Sequence, residues 1–308
     1  MAEGLRGRGS IHGRLAPSPT GAQHIGNART YLIAWLSARS QGGRVSLRIE
    51  DIDSPRIKPG AAEQALDDLR WLGLDWDGEP VVQTARLALY EAALEQLKRQ
   101  ELVYPCTCTR SDIAAAASAP HAEHEGPVYP GTCSYRSAAD ADSLNAPFAW
   151  RFRVKESPAF VDRFLGEVRI DLQQAGGDFV VWKNTGTPAY QLAVVVDDAA
   201  MGITEVIRGD DLVPSTPRQL LLYGALGFDP PSFAHVPLVV GPDGRRLAKR
   251  HGDTRLSALR ESGMTAEELV GRLAYSCGWS EKPEPIAAKD LIPRFRLDAI
   301  PKKPFEWT

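Results

Sequence analysis

The chain has 308 residues, a formal net charge of −3 and an apolar share of 43%. A chain of this length is expected to form about two domains, and its apolar residues never form the run of ~20 that crosses a membrane. The small net charge excludes a global attraction to polyanions, so a nucleic-acid surface must be a local basic patch. Residues 1–13 do not resemble a secretory signal, and we expect a cytoplasmic protein without membrane contact.

From residue 11 to about residue 105, strand patterns and helix patterns alternate along the chain. This alternation is typical of a doubly wound α/β fold around a parallel sheet. The predicted elements are strands at 11–16 and 45–50 and helices at about 22–39, 59–72 and 84–100.

The pattern changes between about 106 and 177, where Ala, Ser, Pro and Gly surround cysteines and short strand signals such as 148–152. The α/β rhythm then returns, and the chain from about 254 onward is helical and later rich in proline. Its signals are strands at 179–182 and 236–240, the apolar run Val194–Val196 and a helix at about 217–227. We predict a discontinuous Rossmann-like domain (11–105 and 178–253), an inserted α+β subdomain (106–177) and a short C-terminal helical region (254–308).

A turn-rich segment, residues 17–27, lies where the first predicted strand passes into the first predicted helix. Ligands of open parallel sheets bind at the carboxyl ends of strands, and a helix N-terminus offers N–H groups to phosphate oxygens. Pro17, Pro19 and Gly21 impose a turn with little side-chain bulk, and His24 can donate a hydrogen bond to a phosphoryl group. We interpret this segment as a nucleotide site; the alternative is a plain turn in which His24 caps the helix.

Residues 24–27, His-Ile-Gly-Asn, resemble the HIGH signature of the class I aminoacyl-tRNA synthetases, and residues 14–21 resemble its glutamyl branch. Neither a Walker loop nor a dinucleotide glycine fingerprint is present. Asn27 stands where the signature usually ends in His, and Asn also donates hydrogen bonds. The resemblance implies a class I synthetase fold and an ATP site that includes Pro17, His24, Gly26 and Asn27.

The second signature of this family is a lysine-rich loop, and residues 241–250 resemble it. Lys249 holds the position that meets the ATP phosphates, although Arg246, Ala248 and Arg250 replace the usual Lys, Ser and Ser. When a carboxylate attacks the α-phosphorus, nearby cations stabilise the leaving pyrophosphate. The resemblance implies ATP with Mg²⁺ as substrate and His24, Asn27 and Lys249 as catalytic residues.

Free glutamate carries two carboxylates and an ammonium group, so its pocket needs cationic forks and an acid. Arg14, Glu50 and Arg208 each end a predicted strand and can converge at one crevice. Which arginine takes the side-chain carboxylate is open, and structural salt bridges are the alternative for Glu50 and Arg208. The resemblance implies a glutamate pocket of Arg14, Ala16, Ser18, Glu50, Tyr190 and Arg208. Nearby aspartates that stay unassigned are Asp197, Asp198, Asp210 and Asp211.

Three of the four cysteines, Cys106, Cys108 and Cys133, lie close together in the chain. Such a cluster favours a tetrahedral structural Zn²⁺, which needs a fourth ligand. The usual choice is a histidine, His121 or His124, whereas the family resemblance implies Tyr129. The alternative is a set of reduced, packed cysteines, as we expect for Cys277 in an apolar helical stretch.

Full glutamyl-tRNA synthetases continue past the lysine loop into an anticodon-binding region, whereas only residues 251–308 follow here. We therefore expect no anticodon-binding domain, which makes the chain similar to the glutamyl-queuosine subgroup of the family. That similarity implies transfer of activated glutamate to the queuosine base in the anticodon of tRNA(Asp) by a monomer. The alternatives are a truncated enzyme that charges tRNA(Glu) and a non-catalytic paralogue that binds tRNA or glutamate.

Overall fold

The computed structural model describes residues 10–52, 57–116, 128–244, 247 and 254–307. The strands are β1 (His12–Leu15), β2 (Arg44–Ile49), β3 (Val81–Val82), β4 (Val103–Cys106), β5 (Ala149–Phe152), β6 (Phe160–Asp162), β7 (Gly166–Val168), β8 (Phe179–Trp182), β9 (Glu205–Gly209), β10 (Ser232–Val236), β11 (Val239–Val240) and β12 (Phe305–Glu306). The helices are α1 (Ile25–Arg39), α2 (Ala61–Trp71), α3 (Leu87–Arg99), α4 (Arg110–Ala116), α5 (Tyr190–Ala200), α6 (Ser215–Leu226), α7 (Leu256–Glu261) and α8 (Ala266–Ser276).

Parallel strands form the centre of the molecule. β1 pairs with β2, β2 pairs with β3, and β9 pairs with β10, all in parallel. The two groups meet where the backbone N–H of Thr204 donates to the carbonyl of His12 at 2.9 Å. β1 and β9 are therefore neighbours, with β2 on the other side of β1 and β10 on the other side of β9. Such a switch in strand order opens a crevice at the carboxyl ends of the strands.

Helices cover both faces of these strands. α1, α7 and α8 contribute to one buried apolar cluster, whereas α3, α5 and α6 contribute to a second. Neighbouring residues of β9 point to opposite faces, since Ile207 packs in the first cluster and Val206 in the second. The predicted doubly wound α/β fold is confirmed.

An antiparallel sheet of β4, β5 and β8 forms beside the parallel strands, and β6 and β7 make a separate hairpin. β4 precedes and β8 follows the predicted insertion of 106–177, yet both belong to the sheet of that insertion. The hairpin reaches the parallel strands, where the backbone N–H of Arg163 donates to the carbonyl of Phe233 at 2.8 Å. The division of the chain into domains stays a prediction.

Local differences from the predicted elements have physical reasons. The strand predicted at 236–240 is divided between the end of β10 and β11, because Pro237 has no backbone N–H and its carbonyl accepts from Arg29 Nη1 at 2.6 Å. The apolar run Val194–Val196 lies in α5 and not in a strand. Beyond residue 254 the chain is helical as predicted, but β12 also pairs in parallel with β11. Within the described ranges, no helix combines the length and apolar character needed to span a bilayer.

Candidate active site and cysteine cluster

A cavity of about 370 Å³ lies at the carboxyl ends of the central strands. All the side chains predicted for the glutamate pocket line it, although they come from β1, β9, α5 and the turns after β1 and β2. They are Arg14, Ala16, Ser18, Glu50, Tyr190 and Arg208. The structure thus brings together residues that are far apart in the chain, as the switch-point geometry requires.

Residues of α1 complete one wall of this cavity. Asn27, Thr30 and Tyr31 all line it, and their spacing of three and four residues places them on one helix face. Tyr31 OH donates to Gln23 Oε1 at 2.9 Å, which holds the phenol in place. The sequence placed Asn27 in the ATP site and left Thr30 and Tyr31 unassigned, although their helical spacing from Asn27 was a signal that they share its face.

A buried network of ion pairs supports the acidic side of the cavity. Arg48 Nη2 contacts Glu50 Oε1 at 2.9 Å, Arg48 Nη1 contacts Asp198 Oδ1 at 2.5 Å, and Arg14 Nε lies 3.4 Å from the same Asp198 oxygen. The salt bridge considered as the alternative for Glu50 is therefore present. It fixes the carboxylate at the cavity wall, because Arg48 and Glu50 are two residues apart and share a strand face.

Asp197, one of the unassigned aspartates, is a structural group. Its carboxylate accepts hydrogen bonds from Gln83 Nε2 at 2.7 Å, Arg86 Nε at 2.7 Å and Tyr90 OH at 2.9 Å. It is fully buried. These contacts join α3 and the preceding turn to α5, so Asp197 needs no metal ion to satisfy its oxygens.

Arg208 is the cation whose surroundings identify the ligand class. It is 4% exposed, and Nη2 donates to Thr216 Oγ1 at 2.8 Å while Nε contacts His235 Nε2 at 3.0 Å. Among the residues that the structure describes, no carboxylate lies within ion-pair distance of this guanidinium. Burial, supported by the charge of Arg14, lowers the pKa of Arg208. A buried cation without a counter-ion is costly, so the cavity favours an anionic ligand.

His24 precedes α1 and caps it. Its Nδ1 accepts from the backbone N–H groups of Gly26 at 3.1 Å and Asn27 at 3.4 Å, and Asn27 Oδ1 accepts from the His24 N–H at 3.1 Å. An acceptor Nδ1 requires the proton on Nε2, which makes Nε2 a donor. A Cβ on Gly26 would lie 2.9 Å from His24 Cε1, so glycine permits this ring position. The capping alternative is therefore realised, and it orients His24 as a donor.

The turn of residues 17–27 is tied to its surroundings through the backbone. The carbonyl of Pro17 accepts from the N–H of Glu50 at 3.0 Å, Thr254 O accepts from Ile25 N–H at 3.1 Å, and Leu256 N–H donates to Gln23 O at 2.9 Å. The chain that follows the lysine loop thus returns to the first signature. Lys249 itself lies outside the described residues, as do Arg246, Ala248, Arg250, His121 and His124.

The cysteines of the inserted segment form a second candidate site. The Sγ atoms of Cys106, Cys108 and Cys133 all lie within 4.8 Å of one another, and the Cys108 and Cys133 sulfurs are 3.6 Å apart. Zn²⁺ with Zn–S bonds of ~2.3 Å holds two sulfurs ~3.8 Å apart in a tetrahedron. The three thiols therefore fit a zinc ion. Cys277 is buried in the apolar core, as predicted.

Tyr129 is placed to be the fourth group of this cluster. Its hydroxyl oxygen lies 3.4 Å from Cys106 Sγ and accepts from the backbone N–H of Cys133 at 2.8 Å. Arg151 Nε donates to Cys106 Sγ at 3.3 Å, and the guanidinium lies 3.9 Å from the centroid of the Tyr129 ring. The guanidinium thus contacts both Cys106 and Tyr129 and holds them beside the other two thiols, and cysteine sulfur is a ligand that Zn²⁺ prefers.

Comparison with known proteins places this arrangement in a family. The family model for class I tRNA synthetases (E and Q), catalytic domain, matches residues 10–305. A glutamyl-Q tRNA(Asp) synthetase of Rhodopirellula baltica is 55% identical, covering 96% of this chain and 92% of that protein. One of Symbiobacterium thermophilum is 52% identical, covering 95% and 94%.

A solved structure supports the same assignment. The crystal structure of a glutamate tRNA ligase from Elizabethkingia meningosepticum, in complex with its amino acid, superimposes with a TM-score of 0.83. It is 28% identical in sequence, and the match covers 97% of this chain and 67% of that one. From the family match and these relatives, the chain belongs to the class I tRNA synthetases for glutamate and glutamine.

Proposed function

We propose that the chain activates L-glutamate with ATP to glutamyl-adenylate and transfers the glutamate to the queuosine base in the anticodon of tRNA(Asp). Its family supports ATP-dependent activation of an amino acid, and the names of its relatives support the acceptor. The observation that carries the proposal is Arg208, a buried cation without a carboxylate partner among the described residues, in a cavity lined by Arg14 and Glu50.

The pocket has a group for each charge of glutamate. Arg208 and Arg14 pair with the two carboxylates, and Glu50, held by Arg48, accepts from the ammonium group. Ser18 and Tyr190 add hydroxyl groups at the cavity wall, and Ala16 leaves room beside them. Arg14 is already close to Asp198, whereas Arg208 has no carboxylate partner among the described residues. We therefore assign to Arg208 the stronger interaction with a substrate carboxylate.

Activation uses the turn between β1 and α1. A glutamate carboxylate oxygen attacks the α-phosphorus of ATP, the bond to the β-phosphate oxygen breaks, and pyrophosphate leaves with Mg²⁺. His24 Nε2–H and Asn27 donate to phosphate oxygens, Pro17 and Gly26 let the nucleotide approach the backbone, and Lys249 neutralises the leaving group. The hydrogen bond from the Ile25 N–H to the carbonyl of Thr254, which follows the lysine loop in the sequence, supports a position of that loop close to this turn.

Transfer follows by attack of a hydroxyl on the adenylate. A hydroxyl oxygen of the queuosine base attacks the glutamyl carbonyl carbon and gives up its proton to solvent, an ester forms, and AMP leaves as the bond between that carbon and its phosphate oxygen breaks. An anticodon loop suits this reaction because its bases are single-stranded and can be turned outward. A structural Zn²⁺ on Cys106, Cys108, Tyr129 and Cys133 would join β4 to the loop of residues 128–136. A cytoplasmic location and a monomeric state stay predictions.

Labelling with glutamate tests the acceptor directly. Radioactive glutamate and ATP are offered with tRNA(Asp) that contains queuosine, the same tRNA without queuosine, and tRNA(Glu). We expect label only on the first. Label on tRNA(Glu) alone would favour the truncated enzyme, which the similarity to a glutamate tRNA ligase makes the second candidate. The absence of glutamate-dependent pyrophosphate exchange would favour a non-catalytic binder.

A further inference from the structure

Behind Arg208 lies a buried chain of hydrogen-bonded side chains that the proposed chemistry does not use. Arg208 Nε contacts His235 Nε2 at 3.0 Å, and His235 Nδ1 contacts Asp162 Oδ2 at 2.6 Å. His235 is 0% exposed and Asp162 is 2% exposed. Neither residue is among the described residues that line the cavity. The two side chains are therefore linked to the pocket through the Arg208 guanidinium.

The direction of these hydrogen bonds follows from the chemistry of the groups. A guanidinium can only donate, so His235 Nε2 must accept from Arg208 and therefore carries no proton. The ring proton must then lie on Nδ1, where it is donated to Asp162. Thr216 Oγ1 accepts from Arg208 Nη2 at 2.8 Å and lies 3.1 Å from His235 Nε2. Only the neutral Nδ1–H tautomer of His235 satisfies all of these contacts.

Asp162 is itself held rigidly. One of its oxygens accepts from the backbone N–H groups of Phe164 and Leu165, both at 2.9 Å, and its carboxylate also accepts from the His235 N–H at 3.1 Å. The rings of Phe160 and Phe233 lie 6.2 Å from that of His235. These contacts leave the carboxylate and the imidazole one arrangement each.

Burial and the charge of Arg208 keep the imidazole neutral although two carboxylates lie near it. Asp162 faces it from β6, Arg208 from β9 and Asp211 from the turn after β9. Burial and the charge of Arg208 lower the pKa of His235 and outweigh the two carboxylates. The acceptor Nε2 is therefore maintained at neutral pH.

We propose that His235 and Asp162 are positioning residues that fix the orientation of the Arg208 guanidinium toward the substrate carboxylate. This inference rests on the proposed role of Arg208 in binding glutamate. Asp162 ends β6, so the hairpin of β6 and β7 supports the amino-acid pocket through His235 and Arg208 and contributes none of the described residues that line the cavity. The hairpin is fastened to the parallel strands by the ion pair of Arg163 with Glu205 and by its backbone bond to Phe233.

The test compares two substitutions of His235, each of which keeps a polar group near only one of the two ring nitrogens. His235→Asn keeps a donor near the Nδ1 position and loses the acceptor for Arg208, whereas His235→Gln keeps a polar group near the Nε2 position. His12→Asn is the matched control, because His12 is a buried strand histidine that contacts Gly202 and Ser46 away from the cavity. Pyrophosphate exchange gives KM for glutamate and for ATP, and thermal unfolding reports folding.

We expect His235→Asn to raise the KM for glutamate by about tenfold or more, as for a lost hydrogen bond to a charged group. The KM for ATP should change less than twofold, His235→Gln should show a smaller rise, and His12→Asn should keep both constants. A folded His235→Asn variant with an unchanged glutamate KM would overturn the proposal, and so would equal rises for glutamate and ATP.

Asp162→Asn provides an independent variant if the histidine variants do not fold. An amide can donate to Nδ1, which permits the wrong tautomer, so we expect a rise in the glutamate KM with little change for ATP. An unchanged glutamate KM in this variant would also contradict the proposal. Failure of the proposed function is distinguishable, because the unmodified chain would then show no glutamate-dependent exchange.

Discussion

The glutamate pocket takes its charged side chains from elements far apart in the chain, whereas the cysteine cluster is formed by β4 and one nearby loop. Arg14 and Arg208 meet only because β1 and β9 are neighbours in the sheet. Cys106, Cys108 and Cys133 meet within one stretch of the chain, residues 106–133. The pocket therefore depends on the whole parallel sheet, and the cluster depends on local chain geometry.

The two sites also differ in the sign of the charge that they favour. In the pocket, buried Arg208 has no described carboxylate partner, so an anion is favoured. In the cluster, three thiols and the Tyr129 hydroxyl converge, and cysteine sulfurs in this arrangement bind a cation, Zn²⁺. The comparison teaches that the chemistry of the groups that converge in a buried site indicates its ligand more directly than the shape of the site does.

The largest effect is expected from Arg208→Met. It removes the cation that faces the substrate, and we expect kcat/KM for glutamate in pyrophosphate exchange to fall by about 100-fold or more. Thermal stability should change little, because the removal of a buried charge that has no counter-ion in the described part of the chain is offset by the loss of its hydrogen bonds to Thr216 and His235. Arg151→Met is the matched control in the cluster, where exchange should be retained. Equal losses in the two variants would break the distinction between the sites.

A smaller effect is expected from Tyr129→Phe in the cluster. The variant removes the oxygen that lies beside Cys106 Sγ, and we expect zinc affinity to fall by about tenfold or more. Chelator competition measures the affinity, and elemental analysis of the untagged protein should find about one zinc per chain. Glutamate-dependent exchange should change little. An unchanged affinity would instead favour His121 or His124 as the ligand.

The smallest expected effect is a dependence of stability on pH, which arises from two histidines of the parallel strands, His12 in β1 and His235 in β10. Burial lowers the pKa of both His12 and His235, assisted by the charges of Arg44 and Arg208 respectively. The unfolded chain then binds these protons near pH 6.5, before the folded chain does. Stability should therefore decline as the pH falls below 6.5 towards the lowered values, by at most about 1.4 kcal/mol per pH unit for each histidine.

Urea unfolding between pH 7.5 and pH 5 measures this dependence. His12→Asn should remove one of the two contributions and flatten the profile, with Cys277→Ala as a control that leaves both histidines in place. A profile that His12→Asn does not alter would show that His12 is not charged on unfolding in this range.

The sequence pattern was informative wherever the residues of a site lie close together in the sequence. The residues 17–27 and the cysteine spacing pointed to His24 and to the three thiols, because a helix cap and a loop of ligands are local. The pocket residues Glu50 and Arg208 were identified through strand ends and family resemblance. Arg48 and Asp198, which hold Glu50 and Arg14, were not identified, since nothing local shows which buried ions meet.

By itself the sequence determined the alternation of strands and helices, the place of the turn before α1 and the grouping of the cysteines, because periodicity and turn chemistry act over a few residues. Tertiary structure decided that β4 and β8 join one antiparallel sheet with β5, that Arg208 has neutral hydrogen-bond partners in His235 and Thr216, and that Asp162 lies behind His235. These features depend on which strands, far apart in the sequence, become neighbours in a sheet. The pairing of those strands follows from the burial of the apolar faces of whole strands and helices, which no short stretch of sequence reveals.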